Sequence, residues 1–275
     1  MSLHTLLIEP FAFDFMRRAL VACTILAIAA GPIGTLLLLR RMSLVGDALS
    51  HAVLPGAALG FLAGGLSIPA MSLGGAIAGL AVALAAGIIA RTTSQREDSS
   101  FAALYLISLA LGVLIVSMRG SSVDLLQILF GSLLAVDAPA LILVAAIVTV
   151  TLLAFAVSYR ALVADCVDPE FLRAVGGRGG VWHALFLTLL VLNLVAGFQT
   201  LGTLMAVGLM ILPAAAARFW GGSAGRLALI AVLIGMASAL LGLLASYHLD
   251  LPSGPAVILV AGVFYLVSMI LRGRR

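Results

Sequence analysis

Lysine is absent from this chain of 275 residues; all fifteen basic side chains are arginine. That absence excludes a phosphate-binding loop of the form GxxxxGK[ST], so the chain cannot bind and hydrolyse ATP in that way. It is not expected to be an enzyme, and any ATP-driven work must come from another subunit. Charge is also scarce: 9% of residues are charged, against about 25% in a soluble domain. A large soluble all-α protein of this composition would have to bury every helix on all sides. Only two cysteines occur, Cys23 and Cys166, with no CxxC or metal-finger spacing. The topology derived below places them in different compartments, which argues against a disulfide. The first residues, MSLHTLLIEPFAFDFMRR, lack the basic n-region of a signal peptide and are expected to lie at the membrane interface.

What is abundant is apolar sequence, 63% of the chain. Several charge-free runs reach or exceed the roughly 18 residues that cross a hydrocarbon core about 30 Å thick. The chain therefore reads as an all-α, polytopic helical membrane protein, one transmembrane domain over residues 1–275. About nine crossings are expected, with eight to ten allowed by the Gly/Pro-rich stretches. They are Ala19–Leu39, Val45–Gly64, Ala70–Ala90, Phe101–Met118, Pro139–Tyr159, Val181–Phe198, Leu201–Ala217, Leu227–Tyr247 and Ala256–Leu271. Leu125–Val136 is apolar but too short to cross and reads as a re-entrant or interfacial helix. Arginine counting sets the orientation. With the loop at Arg40 and Arg41 inside, twelve arginines lie inside and three (Arg17, Arg18, Arg119) outside. The N-terminus is then outside, the C-terminus cytoplasmic, and the long Arg160–Gly180 interruption cytoplasmic. No second copy of any block is evident, which argues against an inverted-repeat secondary transporter.

The stretch RRMSLVGDALSHAVLPGAALG, Arg40–Gly60, carries Asp47 and His51 inside an otherwise apolar span. At a spacing of four they share one helix face. A rise of 1.5 Å per residue puts Asp47 about 6 Å and His51 about 12 Å in from the span's start near Ser43. Charge at such depth costs at least about 2.5 kcal/mol and should face the bundle interior or a water-filled path. Carboxylate plus imidazole suits zinc, manganese or ferrous iron, although two ligands are too few for a closed site. Two chains facing across a dimer axis would supply four. A structural Asp–His contact and a proton relay remain open beside the cation pathway. Pro55 withholds the N–H that would bond the His51 carbonyl, and Gly56 and Gly60 permit close helix approach.

Asp168, Pro169 and Glu170 read as N-cap, first helical residue and first-turn acid, and Gly176-Gly177 as the stop. Phe171, Leu172 and Val175 between them form an apolar face. This short helix either docks a motor subunit or lies on the membrane surface. His248 and Asp250 flank Leu249 at the outer end of a span, placed to meet an arriving cation or to be a solvated loop pair. His183, beside Trp182, reads as an interfacial anchor.

The Arg40–Gly60 block resembles the signature of the metal-ion (zinc/manganese/iron) ABC importer permeases. VDLLQILFGSLLAV, LGTLMAVGLMILPAAAARFW and LDLPSGPAVILVAG are similar to further stretches of that family, in the same order. REDSSFAALYL departs from the family's more usual EDTAIGI, so no role passes to Glu97 or Asp98. The resemblance implies a type II importer fold in the cytoplasmic (inner) membrane. It implies a permease homodimer with cytoplasmic ATP-binding subunits and an extracytoplasmic metal-binding protein. Asp47 and His51 match the Asp and His on that family's metal route. Asp168–Gly176 corresponds to its ATPase-contacting loop, and Asp250, with His248 nearby, is an outer-gate candidate. The metal would be cargo, with no permanently bound cofactor. The alternatives are the same architecture carrying a siderophore or other chelate, or an ion-coupled secondary transporter or channel.

Overall fold

Lipid offers backbone N–H and C=O groups no hydrogen-bond partner, so a chain of this composition must satisfy them within helices or a closed barrel. The structure, a computed structural model, describes residues 9–65, 67–119 and 136–272, and every regular element among them is helical. After a 3-10 turn at Glu9–Ala12 come α1 (Asp14–Leu39), α2 (Val45–Ala52), α3 (Leu54–Gly64), α4 (Ile68–Thr92) and α5 (Glu97–Arg119). Then follow α6 (Ala138–Val167), α7 (Pro169–Ala174), α8 (Gly179–Leu201), α9 (Thr203–Arg218), α10 (Ala224–Leu249) and α11 (Ser253–Arg272). Eight segments, one of them α2 and α3 together, are long and apolar enough to cross a membrane. The ninth expected crossing is α9, whose 16 residues fall below that length. The short helix expected at 125–136 lies outside the described residues except for Val136.

Two boundaries differ from the sequence reading. The first helix begins at Asp14 rather than Ala19, because Asp14 pairs with Arg17 and Arg18 one turn on and charges can continue the helix past the hydrocarbon. The fifth span does not stop at Tyr159: α6 runs 30 residues to Val167, about 45 Å at 1.5 Å per residue. Leu162 is fully buried, and Val163 and Cys166 pack against the same core, so this part of the expected loop is helix.

α1 and α8 are the inner helices. α1 packs on α10, α9, α6 and α8, and α8 on α6 and α4 as well. Two cores result. One holds Ile33, Leu37, Leu49, Phe101, Leu162, Phe186 and Leu190 at the arginine-rich end. The other holds Met16, Cys23, Leu26, Met205, Leu243 and Val257 at the opposite end. Leu73, Ile77, Leu84 and Ile88 of α4, and Val150, Leu153 and Val157 of α6, are exposed at helical spacing, as expected of faces turned to lipid.

Glycine sets the tightest contact. A Cβ on Gly56 would run into the carbonyl of Gly74, one on Gly74 into that of Gly56, and one on Gly60 into that of Ala70. α3 and α4 therefore meet backbone to backbone, as the Gly56/Gly60 spacing predicts. Two consequences can be measured by thermal unfolding in detergent. Gly56→Leu should destabilise by about 1–3 kcal/mol or more through overpacking. Gly262→Ala, where an added Cβ meets nothing within 4 Å, should leave stability unchanged or slightly raised.

Candidate ion site and the arginine network beside it

α2 exists as a separate eight-residue helix because Pro55 cannot continue the ladder. α2 stops at Ala52, Val53 bridges with helical dihedrals, and α3 restarts at Leu54 with Pro55 in its first turn. Ser50 Oγ donates to the Asp47 carbonyl at 2.7 Å, and Ser108 Oγ of α5 donates to the Ala52 carbonyl at 3.0 Å. The second bond ties the end of α2 to its neighbour.

Asp47 and His51 do share a face. His51 Nε2 lies 3.9 Å from Asp47 Oδ1, too far for a hydrogen bond. A tetrahedral ion with ligand distances of about 2.1 Å would hold two donors about 3.4 Å apart, so a small rotamer change lets both reach one cation. The His51 ring sits 6.4 Å from that of Tyr105. The Asp47 side chain is 67% exposed, a position no carboxylate in a membrane span keeps against lipid. Beside it lies a cavity of about 260 Å³ lined by Val45, Asp47 and Ala48 of α2 and by Asp98, Phe101, Ala102 and Tyr105 of α5. Asp98 Oδ1 is buried with no hydrogen-bond partner. Among the described residues no three His, Cys, Asp or Glu side chains are grouped to hold a metal.

α7 forms where the Asp-Pro-Glu signal puts it. Asp168 Oδ1 accepts from Phe171 N–H at 2.9 Å, and Gly177 N–H donates to the Leu172 carbonyl at 2.8 Å across Gly176, whose φ is +78°. Phe171 and Val175 are each 60% exposed and Leu172 is half-buried, so the helix presents an uncovered apolar face. At the opposite end, His248 stacks edge-on to Tyr247 at 5.3 Å. Asp250 closes α10 in the left-handed conformation, φ +50°, with Leu251 N–H donating to the Ser246 carbonyl at 3.1 Å.

His183 is not an interfacial anchor. It is 6% exposed and belongs to a buried network built on Arg40. The Arg40 guanidinium donates to Asp165 Oδ2, to His183 Nδ1 and, at 3.0 Å, to Cys166 Sγ. It also lies 4.6 Å from the Phe186 ring centre, a cation–π distance. Arginine has no acceptor, so Nδ1 of His183 must accept, and its proton sits on Nε2. Nε2 then donates to Glu97 Oε1 at 2.6 Å. The network joins the ends of α1, α5, α6 and α8 and lines a cavity of about 380 Å³ that also touches Asp98 and Pro169. Sequence reasoning missed it because its partners are 86 to 143 residues apart. Each stands at the end of an apolar run, where an interfacial role is the default. The one cue, that Arg40, Glu97, Asp165 and His183 all lie near span ends on the arginine-rich side, does not say which of them meet.

Comparison with known proteins adds an independent line. The family model described as ABC 3 transport family matches residues 12–272. The manganese import system permease protein ScaB of Streptococcus parasanguinis is 33% identical over 256 residues, covering 93% of this chain and 90% of that protein. The chelated iron transport system membrane protein YfeD of Yersinia pestis is 31% identical, covering 98% and 89%. Among solved structures, PsaBC from Streptococcus pneumoniae in complex with Fab superposes with a TM-score of 0.82 at 32% identity, covering 94% of this chain and 91% of that one. An inward-facing putative metal-chelate type ABC transporter, at 18% identity and TM-score 0.69, shares the fold. Match, identity and superposition each extend over more than nine-tenths of this multi-pass chain, and it belongs to the ABC 3 transport family.

Proposed function

We propose that this chain is the membrane-spanning subunit of an ATP-driven importer of divalent transition-metal ions, with Asp47 and His51 as ligands on the ion's route. The observation that carries the reading is the pair itself. Two metal-binding side chains stand within reach of one cation and are not bonded to each other, and one of them, Asp47, lines a cavity in a span where charge is costly. The relatives named for manganese import and for chelated iron transport agree with that donor set. The missing ligands and the exposure of Asp47 are both accounted for if a second copy faces it across a dimer axis. The ion-coupled alternative lost its ground with the family assignment. A chelate carrier would need no direct ligands, so it predicts the opposite result in the test below.

The arginine-rich end is assigned to the cytoplasm, which puts the uncovered face of α7 where a partner ATPase docks and Asp250 with His248 where a binding protein delivers the cation. The ion would then pass inward along Asp47 and His51, and ATP-driven motion would enter through α7.

Three measurements follow, all on the permease co-expressed with its ATPase and reconstituted with the binding protein. Asp47→Asn and His51→Gln should each lower manganese, iron or zinc uptake by about tenfold or more while the complex still assembles; normal uptake by both variants removes them from the route and favours a chelate. Phe171→Asp with Val175→Asp should abolish co-purification of the ATPase, and a retained complex refutes the docking role of α7. Asp250→Asn keeps the left-handed backbone accessible but removes the charge. It should lower uptake at sub-saturating metal and leave thermal stability unchanged, whereas unchanged uptake makes Asp250 a helix stop only.

A further inference from the structure

The network around Arg40 is not explained by stability. Its guanidinium is 8% and the Asp165 carboxylate 5% exposed, and taking two charges out of water costs about what their attraction returns. An apolar pair of similar volume would hold these helices as well. The network's place in the chain is what sets it apart.

Arg40 caps α1, and after four intervening residues α2 begins at Val45 with Asp47 in its first turn. The link between them is tight. Arg41 adopts φ +60°, Arg41 N–H donates to the Leu38 carbonyl and Met42 N–H to the Leu37 carbonyl at 3.0 Å, and Met42 is buried. This closed helix stop leaves little slack between Arg40 and α2. On its second arm, Arg40 holds Asp165, three residues before the cap of α7. Its third arm reaches through His183 to Glu97 in the first turn of α5, and the next residue, Asp98, lines the ion cavity opposite Asp47. Both walls of that cavity and the base of α7 are thus tied to one side chain.

We propose that Arg40 is a positioning residue for transport: through Asp165 and the His183–Glu97 pair it sets the spacing of α2 against α5 and carries displacement of α7 to the Asp47 cavity. The idea rests on the proposed role of α7 and of Asp47 in an ATP-driven importer. It needs no contact between Arg40 and the ion. Lysine, a point charge on a flexible stem, can hold Asp165 but cannot also span Cys166 and His183, so it should restore only part of the function.

The test uses the whole reconstituted complex and reads metal taken up per ATP hydrolysed, next to the ATPase rate with and without metal-loaded binding protein. Arg40→Met with Asp165→Leu replaces the pair by apolar side chains. Glu97→Gln weakens the far arm while keeping its shape. The double variant should assemble with its ATPase, retain ATP hydrolysis without binding protein, and lose at least about tenfold in metal moved per ATP. Arg40→Lys should fall between it and the wild type, and Glu97→Gln should show a smaller loss of the same kind. A wild-type ratio in the double variant overturns the proposal, and so does a complex that fails to assemble in both Arg40→Lys and Glu97→Gln, because that makes the network a folding element only. Absence of ATP-dependent uptake by the unaltered complex would instead overturn the importer reading itself.

Discussion

In hydrocarbon a polar group has only the protein to bond with, and each helix of this chain is shaped by that scarcity. Ser and Thr side chains fold back onto carbonyls one turn earlier, as Thr35 does onto Gly31 and Thr188 onto Ala184. The Asn193 NH2 group donates to Thr151 Oγ1 and to the Leu189 carbonyl, tying α8 to α6 in the interior, while its Oδ1 is left unpaired. Against this background of local satisfaction, groups left unsatisfied or open to solvent stand out. Asp47, His51 and Asp98 are three such groups, and they line or adjoin a single cavity.

The same scarcity separates two kinds of polar site. Around Arg40 every donor arm the structure shows is taken, by a carboxylate, an imidazole and a thiol, with an aromatic ring on the guanidinium face. Such a cluster is closed to ligands. Around Asp47 the His51 imidazole stands 3.9 Å off and the carboxylate is largely uncovered. Such a site is open to them. The two lie on neighbouring turns of the chain and share Asp98 as a common wall between their cavities.

What could be read from sequence follows the range over which each signal acts. Hydrophobic length located the crossings, since burial in lipid is decided segment by segment. Asp168-Pro169-Glu170 and Gly176 located α7, since capping is settled within four residues. The Gly56/Gly60 spacing anticipated the contact with α4 without naming its partner. Helix stops were legible where glycine makes them, as at Gly176, φ +78°. The stop after Leu39 was legible as well, from Arg40 and Arg41, but the left-handed conformation of Arg41 and Asp250 was not, because side-chain identity there gives no warning. The His183 reading failed for a different reason: its environment is assembled by four helices, and no local pattern encodes which ends will meet. The pairing of Asp47 with His51 was visible, whereas the facing wall with Asp98 was not.

The interruption at Val53 has a mechanical consequence. α3 is clasped to α4 through the backbones at Gly56, Gly60 and Gly74, with only small side chains such as Ala70 and Ala78 beside them. α2 is joined to α3 by the single residue Val53, Pro55 supplies no N–H to carry the ladder on, and α2 holds both proposed ligands on two turns of its own. Val45, Leu49 and Ala52 are buried in the core and Ser108 holds the far end, so the position of α2 is set by its neighbours and not by α3 alone. The ion site thereby sits on a helix of two turns set apart from the span that follows it.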